Sequence, residues 1–470
     1  MALKKGEEIT LKIEGAAFKG KGIGKIDGMA VFVSGTMPGD FVKARIIKRK
    51  KNFREAKLLE ILDPSPDRIT PLCSHANVCG GCSWQHVPYA KQLDYKTQQV
   101  TDHIRRIGNL DTPVHTAIKS DNELYYRNKM EYSVSDRRWL TEEEIRSDDF
   151  VDDSGFFAGL HAPGRFDKIL NLNECHLQQK ESFEILDFIR GYCITNGIAP
   201  YNTFQKTGFL RHVMIRNSFY TEDFMVNLVT FEHNQELIEA LSDALLEKFP
   251  VITTIVNNIN DTPSPTSIGR IERVIHGQGF IRDKIGDFEF KIHPNAFFQT
   301  NTAQAEKLYN VALEFAELQE GDVVYDLYCG VGTLSLYMSK KASKVLGIEL
   351  VEVAVENARF NAKENKVENV SFIKGDMKDV FTEEIVSEFG APDVLITDPP
   401  RAGMHPDVVS RLCDLKVPRI VYVSCDSSTM ARDLKILSEV YDVLEVQPVD
   451  MFPQTYHVEA VAKLKLKTNL

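Results

Sequence analysis

Long apolar runs are missing from this 470-residue sequence. No stretch approaches the roughly 18 uncharged apolar residues that a membrane helix needs, so no membrane association is expected. An apolar leader is not expected either. The chain opens Met1-Ala2-Leu3-Lys4-Lys5-Gly6-Glu7-Glu8, which lacks an h-region, and the expected location is the cytoplasm. Cysteine is scarce, with eight residues in all. In a reducing compartment these should stay thiols, bind metal or do chemistry rather than form disulfides. Internal repeats and low-complexity tracts are also absent, which excludes solenoid and compositionally biased classes. The remaining composition is that of a globular chain able to bury several cores, at about 150 residues per domain. Nothing in it demands a dimer, and a monomer is expected.

Net positive charge is lacking as well, since the formal charge is −11. Taken alone this argues against a polyanionic partner, but the charge is uneven. Residues 1–60 hold 14 Lys/Arg and 7 Asp/Glu, a balance of +7, so the rest of the chain carries −18. A basic module on an acidic body suits a protein that grips phosphate at one end. A solvated, charged β-domain is the alternative.

That basic segment reads as short strands. Glu8 to Glu14 alternates polar and apolar residues, Met29–Val33 and Phe41–Ile47 follow, and Gly20, Gly22, Gly24, Gly28 and Pro38-Gly39-Asp40 supply the turns. Three or more strands at this spacing suggest a small barrel over residues 1–62. Asp63-Pro64-Ser65-Pro66-Asp67 is a linker. Residues 70–290 mix helical and strand patterns, and the acidic stretch from Thr141 to Asp149 reads as a solvated loop or helix. From 291 to 470 the pattern becomes a βαβ series. Strand-like runs are 323–327, 344–350, 370–375, 393–397, 419–424, 443–449 and 457–466. This predicts a mostly parallel sheet closed by an antiparallel hairpin.

Three features of that series point to a nucleoside ligand. Asp326-Leu327-Tyr328-Cys329-Gly330-Val331-Gly332-Thr333 joins the first strand to a helix, where glycines let the backbone turn sharply and approach a ligand. Glu349 ends the second strand, 19 residues after Gly330, where a carboxylate can accept from both ribose hydroxyls. Asp376 follows the third strand, placed to meet an adenine edge. The third glycine of a dinucleotide fingerprint is absent. The constellation favours S-adenosylmethionine, with another nucleoside as the alternative.

Two further motifs fall at strand ends on the ligand side, Asp398-Pro399-Pro400-Arg401-Ala402-Gly403 and Ser424-Cys425-Asp426-Ser427-Ser428-Thr429. Open α/β sheets bind substrates beyond the carboxyl ends of their strands, so Cys425 is better placed for chemistry than Cys193 or Cys413, which lie in helical patterns and read as core. With a methyl donor, a thiol suits methylation at carbon 5 of uracil. A thiolate adding to carbon 6 makes carbon 5 nucleophilic, and a base must then remove the carbon 5 proton. The surroundings of Cys425 are expected to favour the thiolate. Glu459, in Tyr456-His457-Val458-Glu459-Ala460, is the candidate base, because a charge inside an apolar strand needs a reason. A solvent-facing strand residue is the alternative. Methylation of an exocyclic amine is the rival chemistry. Asp-Pro-Pro there usually precedes a stacking aromatic, however, and Arg401 stands in that place.

Cys73, Cys79 and Cys82 cluster in a polar, glycine-rich loop, and Cys175 lies in Asn173-Glu174-Cys175-His176. Four thiolates can hold an iron–sulfur cluster or a zinc ion. The spacing is not that of paired zinc knuckles, and a cluster is favoured.

Across nearly its whole length the sequence resembles the RNA uracil-5-methyltransferases, in particular the bacterial 23S ribosomal RNA branch. The resemblance is carried by Gly22-x-Gly24 and Val33-x-Gly35-x-x-Pro38-Gly39-Asp40, by the four cysteines, by Asn295-Ala296-Phe297-Phe298-Gln299-Thr300-Asn301, and by the motifs around Asp398, Cys425 and Glu459. It implies an α/β chain with an N-terminal TRAM (OB-like) barrel, a central α+β domain and a C-terminal class I, Rossmann-like methyltransferase domain. It implies S-adenosylmethionine bound by Gln299, Tyr328, Thr333, Glu349, Asp376 and Asp398, with Cys425 as nucleophile and Glu459 as base. It implies a [4Fe–4S] cluster on Cys73, Cys79, Cys82 and Cys175, and 23S rRNA as partner. Tyr328 stands where Phe is frequent, and Asp426-Ser427-Ser428 where Asn-Pro-Ala is common. A tRNA uridine methyltransferase and a non-catalytic RNA-binding assembly factor are the alternatives. For RNA contact the sequence offers Lys48 to Arg54 as a basic strip, with Phe53 and Trp84 as candidate stacking platforms.

Overall fold

The computed structural model describes residues 3–76, 78–147, 149, 151–162, 168–378 and 382–468. No helix among them is long and apolar enough to cross a membrane.

The first six strands make one sheet that closes on itself. Glu8–Lys12 pairs antiparallel with Phe41–Arg49, and Gly15–Ala17, two residues further along the same bent segment, pairs with Lys21–Ile26. Between these two ends the order runs through Phe53–Asp63 and Met29–Val33, so the bend joins the sheet's edges into a barrel. Alternation along the strands sends Val31, Val33, Val42, Ala44 and Ile46 inward. Gly24 lies where the barrel is tightest, and a Cβ there would stand 2.2 Å from the Lys12 carbonyl oxygen.

The central sheet has seven strands, ordered Ile271–His276, Thr254–Ile259, Phe224–Thr230, Leu210–Asn217, Lys129–Arg137, Ser154–His161, Ile169–Asn171. One face is apolar and packs on helices Lys180–Thr195 and Gln235–Lys248. In the strand Lys129–Arg137 the apolar face carries Met130, Tyr132 and Val134. Lys129, Glu131 and Ser133 fall on the other side. The acidic stretch forms the short helix Glu142–Arg146, held by the Glu144 carboxylate on Arg138 at 2.7 Å. Asp148 lies outside the described residues.

The third sheet runs Val370–Lys374, Lys344–Glu349, Val323–Leu327, Val394–Thr397, Arg419–Ser424, Glu459–Leu466, Tyr441–Val449. Its first five strands are parallel, and Glu459–Leu466 is antiparallel to both neighbours. This is the Rossmann-like sheet expected from the βαβ pattern, with the last strand inserted beside the fifth. A hairpin, Ile281–Ile285 with Phe288–Ile292, packs into the same core. The expected boundary at 290/291 falls inside its second strand. Helix Tyr89–Arg106 also lies on this sheet through Val100 and Ile104. It is pinned there by the fully buried ion pair of Lys96 with Asp450 at 2.5 Å.

Candidate active site

The strand order reverses between Val323–Leu327 and Val394–Thr397, since the strands that follow each lie on opposite sides. In open α/β sheets the crevice beyond the carboxyl ends at such a point is the ligand site. A cleft of about 1390 Å3 opens there. That exceeds the roughly 300–1,000 Å3 of a single small-molecule site and leaves room for a nucleoside cofactor and a nucleotide base together. Its walls include Gln299, Tyr328, Thr333, Glu349, Asp376, Asp398, Cys425 and Glu459. The structure thus brings all eight predicted cofactor and catalytic residues to one cavity.

Each is held by its local fold. Gly330 and Gly332 have φ of 54° and 82°, and no atom lies within 4 Å of where a Gly330 Cβ would be, so bare backbone faces the cleft. The Glu349 carboxylate spans this turn and its own strand end, accepting from the Gly330 N–H at 3.1 Å and the Val351 N–H at 2.9 Å. The Thr333 hydroxyl pairs with Tyr309 Oη at 2.8 Å. The Gln299 segment is locked from behind: Asn128 Nδ2 donates to the Gln299 carbonyl at 2.8 Å, and the buried Arg216 donates to that of Ala296 at 2.9 Å.

The two motifs of the right-hand wall are tied together. Thr429 Oγ1 donates to the Arg401 carbonyl at 3.2 Å. Asp433 accepts from the Met404 N–H at 2.9 Å and from the Tyr422 hydroxyl at 2.8 Å. Asp426 caps the helix Ser427–Leu437 through the Ser428 N–H. Strand pairing then sets Glu459. The ladder ends with Ser424 opposite Ala460, so the next step on each chain brings Cys425 and Glu459 face to face. Glu459 is only 4% exposed, which rules out the solvent-facing alternative.

Electrostatics here depart from one expectation. Burial raises the Cys425 thiol to about 11, and the Glu459 and Asp398 carboxylates push the same way. Arg401 opposes them without prevailing. The resting group is a thiol, not the favoured thiolate anticipated from sequence. Burial likewise raises Glu459 to about 8 and Asp398 to about 6, and the Asp398 charge adds to the rise at Glu459. Two carboxyl groups this close hold a proton between them near neutral pH.

Some cleft residues were not assigned from sequence. Asp326 is buried and raised to about 7 by that burial, and it accepts from Ser335 Oγ at 2.5 Å. A carboxylate within the apolar run Val323–Leu327 was the available signal. Phe297 is 72% exposed on the cleft wall. Neither Phe297 nor Arg401 carries a periodicity that would have marked it.

The four predicted cluster cysteines line a second, small cavity with His75, Gln85 and Glu174. The two loops that carry them are stitched together by the Ser74 N–H on Glu174 at 2.5 Å and the Asn173 N–H on His75 Nε2 at 2.9 Å. Gly81 donates its N–H to Cys79 Sγ at 3.3 Å. Burial raises Cys79 to about 11 and Cys82 to about 12, so uncompensated thiolates would be costly. Among the described residues no three His, Cys, Asp or Glu side chains converge as ligands of one metal ion.

Comparison with known proteins agrees with this geometry. The family profile described as tRNA (Uracil-5-)-methyltransferase matches residues 268–467, and that of the TRAM domain matches residues 2–59. An uncharacterized RNA methyltransferase of Chlorobaculum tepidum is 42% identical, over 98% of this chain and 96% of its own length. One from Bacteroides thetaiotaomicron is 41% identical over 96% of this chain and 100% of its own. The chain belongs to the RNA (uracil-5-)-methyltransferase family. Among solved structures, the Pyrococcus abyssi tRNA (uracil-54, C5)-methyltransferase in complex with S-adenosyl-L-homocysteine superposes with a TM-score of 0.76. It is 31% identical and covers 97% of this chain and 100% of its own.

Within this RNA-methyltransferase framework two expected RNA contacts are corrected. Trp84 is 2% exposed. It packs edge-on against Tyr95 and donates its Nε1–H to the Gly20 carbonyl at 3.3 Å, so it anchors the barrel to the helix Tyr89–Arg106 rather than meeting a base. Arg54, the end of the basic strip, is buried, and its guanidinium donates to the carbonyls of Leu3, Lys50 and Phe53. Phe53 stacks edge-on with Phe32. Cys193 is buried, as expected, and Cys413 is half-buried against the catalytic core.

Proposed function

We propose that this chain methylates carbon 5 of a uridine in RNA, with S-adenosylmethionine as donor, Cys425 as covalent nucleophile and Glu459 as base. The observation that carries the reading is the juxtaposition of Cys425 and Glu459 on the cleft that also holds the Gly330 turn and Glu349. Gln299, Tyr328, Thr333, Glu349, Asp376 and Asp398 would hold the cofactor. When bound, it supplies a methyl group on a sulfonium cation.

The chain's own groups do the rest. Cys425 Sγ bonds to carbon 6 of the extruded base, and its proton passes to the Asp398–Glu459 pair. The ring's double-bond electrons move toward carbon 5, with the enolate oxygen taking the charge. Carbon 5 accepts the methyl group. The pair returns the thiol's proton to solvent, its remaining proton rests on Asp398, and the Glu459 carboxylate removes the carbon 5 hydrogen as a proton. The carbon 5–carbon 6 double bond reforms and the Cys425 sulfur leaves carbon 6. Amine methylation would give Cys425 no role. A purely RNA-binding assembly factor would give this intact set none.

The substrate reading is 23S rRNA, which rests on the four-cysteine loop resembling that branch. tRNA is the second reading, favoured by the substrate named for the Pyrococcus abyssi relative. Cys73, Cys79, Cys82 and Cys175 would hold a [4Fe–4S] cluster, since all four thiols line one cavity with a glycine N–H directed at sulfur. A single zinc would need four ligands within about 2.3 Å of one point. A cytoplasmic monomer completes the reading. RNA containing 5-fluorouracil has no carbon 5 proton to lose and should trap the protein covalently. Cys425→Ala should abolish the trapped species on denaturing gels, and an undiminished adduct in that variant refutes the assignment.

A further inference from the structure

One turn of the barrel reaches the catalytic strand ends. The short 3-10 turn Phe18–Gly20 joins the strands Gly15–Ala17 and Lys21–Ile26, and it is seated on the segment that precedes Glu459. A Cβ on Gly20 would stand 3.2 Å from Tyr456 Cδ1 and 3.3 Å from Ser83 Oγ, and that hydroxyl accepts from the Tyr456 N–H at 3.1 Å. Phe18 stands between two rings. Its centroid is 5.2 Å from that of His103 and 6.2 Å from that of Tyr456, with both pairs close to perpendicular. Each neighbour is tied to the stem of a proposed reacting group. His103 Nδ1 lies 2.9 Å from Ser427 Oγ, two residues after Cys425, and Tyr456 comes three residues before Glu459. Although held on two sides, Phe18 remains 38% exposed. Lys19 is exposed beside it, with Nζ 5.8 Å from the Phe18 ring centre. No carboxylate pairs with Lys19 among the described residues. Its φ of 67° is a left-handed backbone that disfavours lysine and suits glycine or asparagine.

An exposed aromatic ring with a free ammonium beside it suits one nucleotide of a single strand, the ring stacking on the base and the ammonium meeting the phosphate. Backbone strain of the kind Lys19 carries concentrates where side chains meet ligands. A uridine extruded onto Cys425 stays joined to its neighbours, whose bases lose a stacking partner and gain by finding another. The Phe18 turn offers that surface from a fixed position, because it is packed on the stems of both Cys425 and Glu459. We propose that Phe18 stacks on the base next to the extruded uridine while Lys19 contacts that nucleotide's phosphate, so that both are positioning residues for the RNA strand. This role rests on the reading of the chain as an RNA-modifying enzyme.

The test is the salt dependence of binding to a fluorescently labelled oligouridylate by wild-type protein, Lys19→Asn, Lys19→Arg, Phe18→Leu and Phe18→Tyr. Losing one single-strand phosphate contact should flatten the slope of log K against log salt by about 0.7. Lys19→Asn, which suits the left-handed backbone, should show that change, and Lys19→Arg should keep the parental slope. Phe18→Leu fills the gap between His103 and Tyr456 but cannot stack, so binding should weaken on the order of tenfold with the slope kept. Phe18→Tyr should bind as the parent does. Affinity for S-adenosylhomocysteine should be unchanged in all four, which also reports folding. If Phe18→Leu fails to fold, the exposed Lys19→Asn decides alone. Folded Lys19→Asn with the parental slope, or folded Phe18→Leu with the parental affinity, overturns the contact. So does wild-type protein that methylates RNA but leaves the oligouridylate unbound, since such a contact should hold any single strand. Wild-type protein that neither binds nor methylates RNA overturns the underlying reading instead.

Discussion

Replacing Glu459 with glutamine should make the protein more stable at alkaline pH and stop it part-way through its reaction. Burial and the Asp398 charge raise this carboxyl from 4.5 to about 8. The folded state therefore binds a proton that the unfolded state has released over that interval. Stability must then fall as pH rises between those values and level off above them. At about 1.4 kcal/mol per tenfold difference in proton affinity, the loss is at most on the order of 5 kcal/mol. Glutamine resembles the protonated acid and has nothing to lose. The variant should match wild type near pH 4.5 and gain progressively to pH 8. Thermal unfolding across that range measures it, and a difference that does not change with pH refutes the buried, proton-holding state. The same variant should transfer one methyl group and remain attached to RNA, because no base removes the carbon 5 proton. Ordinary multiple turnover by Glu459→Gln would remove that residue from the mechanism.

Glu349→Gln exchanges a charged acceptor of the Gly330 and Val351 N–H groups for a neutral one, which should cost about 1.5–3 kcal/mol in affinity for S-adenosylhomocysteine by calorimetry. Equal affinity would show that the carboxylate does not reach the ligand. Trp84→Ala should cost about 3–5 kcal/mol of stability through the cavity it leaves, while RNA affinity of the folded fraction stays at the parental level. A selective loss of RNA binding would restore the stacking role. Anaerobically purified protein should be coloured by iron–sulfur absorption, and Cys82→Ala should bleach it. A colourless parent with one equivalent of zinc contradicts the cluster.

How far the sequence could be read depended on whether a signal was local. The four inner parallel strands of the catalytic sheet announced themselves because each is a short apolar run bounded by turn residues, and burial on both faces leaves little else to confuse the pattern. The placement of Cys425, Glu349 and Asp376 on the cleft was legible because open α/β sheets bind ligands beyond the carboxyl ends of their strands. Trp84 was misread because a large aromatic in a polar loop looks the same whether it meets RNA or plugs a contact between the barrel and a helix. Arg54 was misread for a similar reason, as charge alone does not distinguish a phosphate ligand from a donor to backbone carbonyls. The helix Tyr89–Arg106 belongs to the catalytic sheet only through contacts such as Lys96 with Asp450, 354 positions apart.

The sequence by itself determined the element types, the sheet class and which side chains are candidates for the chemistry, because these follow from periodicity, turn residues and functional-group chemistry. Tertiary structure alone decided that Cys425 and Glu459 face each other, since that depends on the last strand entering antiparallel beside the fifth. It also decided their protonation. A thiol keeps its proton here and a carboxyl pair keeps one between its two groups, because the fold removes water from them and sets them side by side, and no linear pattern encodes that proximity.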